Sequence, residues 1–369
     1  MKILQIINSH ALQDGGAQRL ALEMHRSYLE QGQDSHLLSL MRSPIDEPNT
    51  YSLGVMSPYQ QNVWPKLLRF LSQPKWKDVD IIHVHLFPAQ IWVAAAMSRM
   101  GWKVPLITTE HNTFNRRRNS FLGRALDFFT LKKYQLIICI SPATMEALAH
   151  WQPKIAPKLV TIANGIDLTR YRQSGSKDFD PQIPIVIAVG RISEQKNYST
   201  AIEAIHLLRN REFQFWIVGQ DELNGQIHQQ VLKLALANHV HFCGYQPDVP
   251  GLLERADIFL LTSRWEGFGL AVVEAMAAGL PVICSDVPGV REVAVGGGGD
   301  GIGTPSSAFL IDPNSPDEIA DRLAQLLDDP ELRNSMGHRA KQRAQSFDIS
   351  KTVADHLDLY RYICLVSAS

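Results

Sequence analysis

The sequence predicts an α/β protein made of two doubly wound, parallel-sheet domains. Three observations lead there. The chain has 369 residues, 45% of them hydrophobic and 20% charged, which is more than one small core can use. Short runs rich in Ile, Val and Leu alternate with longer segments of helical spacing, the pattern of parallel strands covered on both faces. A polar stretch containing Gly, Ser and Pro, residues 167–184, divides this alternation into two series.

The first series places strands at Lys2–Ile7, Ser35–Leu40, Ile81–Val84, Leu106–Thr109, Leu136–Ile140 and Leu159–Ile162. Between the first two, Gly16–Gln31 carries Leu20, Ala21, Met24 and Tyr28 at amphipathic spacing, and Gly32 follows as a stop signal. The second series places strands at Ile185–Val189, Gln214–Val218, Val240–Phe242, Ile258–Leu261 and Val282–Cys284. Near the end, Val353, Leu357, Tyr360 and Ile363 recur at helical spacing. The expected organisation is an N-terminal Rossmann-like domain over 1–166, a linker over 167–184, a second such domain over 185–348, and a C-terminal helix over 349–369 that returns to the first domain, with a cleft between the two.

No run of 18 or more uncharged apolar residues occurs, and MKILQIIN turns polar at Asn8, Ser9 and His10. A membrane span and a secretion signal are therefore not expected. Cys139, Cys243, Cys284 and Cys364 form no CxxC pair and read as reduced residues of a cytoplasmic protein. The net charge of −1 conceals opposed halves: residues 1–165 hold 18 Lys and Arg against 11 Asp and Glu, and residues 166–369 hold 18 against 26. Either the first half meets something anionic, or its cations form a solvated face.

The segment RWEGFGLAVVEAMAAG, Arg264–Gly279, follows the strand-like DIFLLTS. Gly267 and Gly269 allow close backbone approach, and a helix starting near Leu270 would aim its unpaired N–H groups and positive dipole end at an anion. A pyrophosphate fits such a site. Glu266 and Glu274 flank it; carboxylates repel phosphate but accept hydrogen bonds from sugar hydroxyls.

The spacing of Glu266 and Glu274 around EGFGL, followed by AMAAGLPVICSDVPGVRE, resembles the signature of the retaining glycosyltransferases of family 4, which have the two-Rossmann GT-B fold. The resemblance extends through GGAQRLALEMHRSYLEQGQDSHLL, IIHVHLFPA, TEHNTF, NGID, VGRISEQKN and FCGYQPDVPGLLERADIFLLTS, an ordered series covering most of the chain. It implies that Arg191 and Lys196 neutralise a donor diphosphate without a metal. Glu266 would hold hydroxyls of the donor sugar, beside the backbone of Gly267, Phe268, Gly269 and Leu270, and Glu274 the ribose hydroxyls. Gly219, Gly244 and Tyr245 match segments lining the nucleoside pocket. Gly15 and Gly16 match the glycine pair that lies against phosphates and acceptor, and His111 the histidine that approaches the sugar. Plainer roles stay open for each: surface charges for Arg191 and Lys196, a tight turn for Gly15 and Gly16, core packing for Tyr245 and His111, a solvated helix position for Glu274.

Other signals carry less. Gly296, Gly298 and Gly301 satisfy G-x-G-x-x-G, yet no apolar strand precedes them directly and no helix pattern follows. His83 and His85 share one strand face without a third ligand at convincing spacing. The pairs Asp78/Asp80 and Asp178/Asp180 have the DxD form but lie before a strand and in the linker. Arg116, Arg117, Arg118, Arg124, Lys132 and Lys133, interleaved with Phe114, Phe121, Leu122, Leu126, Phe128 and Phe129, form a basic and aromatic segment. It is either a solvated helix face or a surface for anionic lipid or a lipid diphosphate acceptor.

The expected activity is retaining transfer from a nucleotide diphosphate sugar, preferably UDP-linked, to a glycan or lipid-linked acceptor in surface polysaccharide or glycolipid synthesis. No cofactor or metal and no nucleic acid is expected, and any membrane contact is expected to be peripheral. An epimerase of GT-B fold and an inactive nucleotide-sugar-binding subunit are the alternatives.

Overall fold

The structure, a computed structural model, describes residues 1–11, 15–42, 47–115, 118, 120–171, 183–295 and 307–368. The chain divides into two compact units, Met1–Gly165 with Ile349–Ser369, and Ile166–Asp348.

Among its described residues the first unit is built on seven strands: β1 (Lys2–Ile7), β2 (Asp34–Met41), β3 (Thr50–Val55), β4 (Ile81–His85), β5 (Leu106–Glu110), β6 (Leu136–Cys139) and β7 (Leu159–Thr161). They run parallel in the order β3-β2-β1-β4-β5-β6-β7. Its helices include α1 (Gly16–Glu30), α2 (Val63–Leu71), α3 (Ala89–Met100), α4 (Phe121–Leu131) and α5 (Pro142–Trp151). Because side chains alternate across a strand, Leu4, Ile6, Ile82 and Val84 join one core with residues of α2 and α3, whereas Ile3, Ile81, Ile107 and Ile138 join another with Leu20, Met24 and Tyr28 of α1.

The second unit has six strands among its described residues: β8 (Ile185–Val189), β9 (Gln214–Val218), β10 (Val240–Gly244), β11 (Ile258–Leu261), β12 (Val282–Ser285) and β13 (Ala308–Ile311). They are parallel, in the order β10-β9-β8-β11-β12-β13. Around them lie α6 (Tyr198–Leu207), α7 (Gln226–Lys233), α8 (Val249–Arg255), α9 (Leu270–Ala277), α10 (Val290–Ala294), α11 (Pro316–Asp328) and α12 (Pro330–Ala344). The strand order reverses between β8 and β11, the switch point outside which α/β sheets bind ligands.

The last helix, α13 (Ile349–Ala368), belongs to the first unit. Val353, Leu357, Tyr360 and Ile363 are all buried in the α1 core, and the Thr352 hydroxyl donates to the Ala163 carbonyl at 2.9 Å. Ile166 and Asp348 form a parallel bridge within the second unit. Of the stretch expected to link the domains, Leu168–Tyr171 is a single 3-10 turn with Leu168 and Tyr171 buried; residues 172–182, with Asp178 and Asp180, lie outside the described residues, as do Gly296, Gly298 and Gly301.

Two strands have no counterpart in the apolar pattern, and both are edge strands. β3 buries only Leu53 and Val55, and Gly54 interrupts it at φ +68°. β13 is four residues long and covered on one side only by β12.

Candidate active site

At the carboxyl ends of β8, β9 and β10 three glycines meet. Gly190 donates its N–H to the Val218 carbonyl and Gly219 to the Gly244 carbonyl, each at 2.8 Å. A Cβ on Gly219 would lie 2.1 Å from the Gly190 oxygen, and its φ is +154°, so only glycine fits. Gly244, at φ +64°, and Tyr245, 37% exposed, form an open rim beyond them.

The turn after β8 places Lys196. It is stitched to the segment after β11 by three contacts: the Arg264 N–H donates to the Gln195 carbonyl at 2.8 Å, and the Thr262 hydroxyl reaches the carbonyls of Lys196 at 3.0 Å and Asn197 at 3.2 Å. Asn197, at φ +52°, anchors the turn by donating to the Pro313 carbonyl at 2.6 Å. The result is a clamp on Glu266. Lys196 Nζ lies 2.7 Å from Oε1, the Ser263 hydroxyl donates to the same oxygen at 2.8 Å, and Gln195 Nε2 reaches Oε2 at 3.4 Å and the Trp265 carbonyl at 2.9 Å. Both charges are mostly shielded, with 18% and 11% of the side chains exposed, so their attraction is screened less than that of a surface pair.

Arg191 stands apart from that pair. It bonds Glu222 at 2.5 Å with nearly half of each side chain in solvent, a type of contact that contributes about 0–1 kcal/mol and separates readily. Among the predicted residues, the structure therefore joins Lys196 directly to Glu266 and leaves Arg191 with a different acid.

The EGFG loop is shaped by packing behind it. Gly269 ends it at φ +87°, and α9 begins at Leu270, where the sequence expects a helix start. Gly289, at φ +86°, presses on the loop: a Cβ there would stand 2.8 Å from the Glu266 and Gly267 oxygens. Phe268 is buried and meets Phe347 edge-on at 5.6 Å; Phe347 in turn lies under the Arg343 guanidinium at 4.9 Å. Glu274 is buried on α9, which excludes a solvated helix position. The arrangement offers ammonium, carboxylate and helix-start N–H groups at one strand edge, suited to an anion joined to a polyol.

In the first unit, Gly15 precedes α1 at φ +138°, with Gly16 as its first residue. His111 follows β5 and lines a pocket of about 340 Å³ with Tyr59, Leu86, Phe87, Gln90, Thr109, Glu110, Asn112 and Asn115. Burial, helped by the nearby His356, pushes its imidazole down to about 4, and its Nε2 has no hydrogen-bond partner among the described residues. His111 belongs to a row of rings: its centroid is 5.7 Å from that of His85, His85 is 4.0 Å from His83, and His83 is 5.6 Å from His356 of α13. His83 uses both nitrogens internally, Nδ1 with the Tyr360 hydroxyl at 2.6 Å and Nε2 with the Thr109 hydroxyl at 2.7 Å. Its position is thus that of a core polar group.

One expectation needs correction. Arg118 does not belong to the basic surface: it is buried between Glu110, with which Nη2 pairs, and Asp127, 3.2 Å from Nε. A guanidinium there offsets two buried carboxylates. Arg116 and Arg117 lie outside the described residues. Asp78 and Asp80 are spent on β1, pairing at 2.7 Å with the ammonium and backbone N–H of Lys2 respectively.

Sequence reasoning missed Ser263, Gln195 and Gly289, as well as Tyr59, Phe87 and Gln90 of the pocket. Ser263 lies three residues before Glu266 in a non-helical loop, and Gln195 acts across 70 residues, so no periodicity marks either.

Residues 14–170 match the model of Glycosyltransferase Family 4, and residues 170–343 that of glycosyl transferases group 1. The UDP-Gal:alpha-D-GlcNAc-diphosphoundecaprenol alpha-1,3-galactosyltransferase of Escherichia coli is 27% identical over 312 residues, 80% of this chain and 77% of that one. Among solved structures, sucrose-phosphate synthase of Thermosynechococcus elongatus superposes with a TM-score of 0.83 at 19% identity, covering 100% of both chains. HepE of Anabaena, in complex with UDP and glucose, gives 0.81 at 20% identity, covering 98% of this chain and 100% of that one. These likenesses show the fold. With each unit matched by a glycosyltransferase model and the whole chain by structures of the two-Rossmann type, the protein belongs to the GT-B glycosyltransferases.

Proposed function

We propose that the protein is a retaining transferase that moves a hexosyl or N-acetylhexosaminyl group from a UDP-sugar to a glycan or lipid-linked acceptor, in surface polysaccharide or glycolipid synthesis. The observation that carries this reading is the Lys196–Glu266 clamp beside the start of α9. The E. coli relative's name, with its UDP-linked donor and diphosphoundecaprenol acceptor, supports the donor and acceptor classes.

In the proposed reaction the bond from the anomeric carbon to the diphosphate breaks, and a bond to the acceptor oxygen forms on the same face. The acceptor proton passes to an oxygen of the departing diphosphate. Lys196 and Arg191 meet the charge growing on that group, the task a metal performs in other sites. Arg191 is released from Glu222 at little cost, and the amides of Gly267, Phe268, Gly269 and Leu270 supply further donors. Glu266, held by Ser263 and Gln195, accepts from hydroxyls of the sugar, and Glu274 from those of the ribose. Gly219, Gly244 and Tyr245 border the nucleoside, and Gly15 and Gly16 the phosphates and acceptor. His111, neutral at physiological pH, contributes a hydrogen-bonding group and no charge.

The test is thermal-shift screening against UDP-, GDP- and ADP-sugars, followed by NMR of the product formed from the stabilising donor. A ligand that binds only the folded state raises the melting temperature with its affinity. Stabilisation by UDP-sugars and a product of retained anomeric configuration are expected. Stabilisation by GDP-sugars alone, or an inverted product, refutes the respective part.

A further inference from the structure

A buried chain of hydrogen bonds crosses the first unit from α1 to the wall of the His111 pocket. The Tyr28 hydroxyl of α1 lies 3.1 Å from that of Tyr360 on α13, the Tyr360 oxygen 2.6 Å from His83 Nδ1, and His83 Nε2 2.7 Å from Thr109 Oγ1. Tyr28, Tyr360 and His83 are fully buried, and Thr109 lines the pocket. Among the described residues the three hydroxyls and the imidazole have no other hydrogen-bond partner.

Counting hydrogens fixes the direction of this chain. Burial beside other histidines holds His83 well below its ordinary titration range, so the ring is neutral, with one donor and one acceptor nitrogen. If Nδ1 carried the hydrogen, Tyr360 would accept it and donate to Tyr28. The Tyr28 hydrogen would then be unpaired in the core it shares with Leu20 and Met24, where an unmet donor costs the desolvation of a hydroxyl. With the hydrogen on Nε2, every inner group is paired: Tyr28 donates to Tyr360, Tyr360 to Nδ1, and Nε2 to Thr109. The one hydrogen left over belongs to the Thr109 hydroxyl, at the end of the chain that reaches the pocket. Donation in a single direction also polarises each successive link.

The groups around Thr109 indicate what receives that hydrogen. His85 pairs with Thr109 across β4 and β5, yet both its nitrogens, like Nε2 of His111, have no hydrogen-bond partner among the described residues. A neutral imidazole both donates and accepts, as a hydroxyl does. No Lys or Arg is among the described lining residues, and the acid that lines the pocket, Glu110, is paired with Arg118. A pocket of about 340 Å³ with this lining suits a neutral group carrying several hydroxyls and offers a phosphate no counter-charge.

We propose that Thr109 is the pocket's fixed hydrogen-bond donor to a neutral polyol, and that His83 and Tyr360 are positioning residues that hold it in that role. Helix α13 thereby acts on the pocket through two buried side chains, neither of which lines it. The proposal rests on the proposed function only for identifying the polyol as part of a substrate.

The experiment has two readouts on the full chain. Proton–nitrogen correlation spectra of the imidazoles report the His83 tautomer, and titration with glucose, glycerol and inorganic phosphate, followed at the Thr109 and His111 amides, reports binding. The wild type is expected to carry the hydrogen on Nε2, and the two polyols, but not phosphate, to shift both amides. Thr109→Val should weaken polyol binding by about three- to tenfold, and Thr109→Ser should restore it. Tyr360→Phe should mix the two tautomers and weaken binding by about twofold, whereas Tyr28→Phe should keep the hydrogen on Nε2, because Tyr360 still donates to Nδ1. A wild-type hydrogen on Nδ1 overturns the proposal, and this readout needs no variant to fold. Amides unmoved by either polyol overturn it too, as does phosphate binding as tightly, or wild-type affinity in Thr109→Val or Tyr360→Phe whose melting curves show them folded. No turnover is measured, so a failure of the transferase reading is detected separately.

Discussion

Lys196 Nζ lies 2.7 Å from Glu266 Oε1 within a site where Ser263 already donates to the same oxygen. The cation assigned to the diphosphate and the acid assigned to the sugar are thus partners before any donor arrives, and binding must share Lys196 between them. Lys196→Ala is expected to lower kcat by about 10²- to 10³-fold and folding stability by about 1–3 kcal/mol, because Glu266 loses its charged partner but keeps Ser263 and Gln195. Steady-state kinetics and urea unfolding separate the two effects. Near-normal turnover would remove the central claim of the proposed function.

The glycines offer a graded comparison. Gly219→Ala brings a Cβ against the Gly190 backbone and is expected to cost about 3 kcal/mol or to prevent folding. Gly244→Ala meets nothing within 4 Å and carries only the left-handed backbone penalty, about 1 kcal/mol. Gly289→Ala should push the Glu266–Gly267 backbone and raise the donor KM. Equal melting temperatures for the alanine variants at 219 and 244 would contradict the packing argument.

Acid sensitivity follows from the buried histidines. His111 and His356 titrate at about 4 in the folded chain because burial disfavours their charged forms, against about 6.5 when unfolded. Above 6.5 neither state binds the proton and stability is full. As pH falls from 6.5 toward 4 only the unfolded chain takes protons, so each ring removes about 2 kcal/mol by pH 5. Urea unfolding at pH 7 and pH 5 should show this loss, reduced in His356→Gln; identical midpoints for the wild type at both values would refute it.

Arg118 offsets two buried carboxylates. Arg118→Met should destabilise the protein by about 3–5 kcal/mol, whereas adding Glu110→Gln and Asp127→Asn to that variant should recover much of the loss. Chemical denaturation of the single and triple variants checks this. A single variant as stable as the wild type would mean that the triad contributes nothing.

The sequence alone was enough for eleven of the thirteen strands found among the described residues, the Leu270 helix start and the C-terminal helix, because buried parallel strands and a packed helix need apolar residues at fixed local spacing. β3 and β13 escaped because an edge strand is half covered and writes a weaker pattern. The EGFG loop was legible because Gly269, at φ +87°, is required by its backbone angle, a local property.

Tertiary structure decided which charges meet. Nothing in the local order around Arg118 distinguishes it from Arg116 or Arg117, yet contact with Glu110 and Asp127 turns it from a surface cation into a buried one. Arg191 and Lys196 read as an equivalent pair in one short phrase, and the fold gives one to Glu222 in solvent and the other to Glu266 in a sheltered clamp. His356 joins His83, His85 and His111 only because α13 returns across more than 240 residues of chain to the first unit. Such pairings depend on distances between segments far apart in the chain, which residue order does not encode locally. The residue types that could do the chemistry were thus set by sequence, and the partner and exposure of each charged group by the fold.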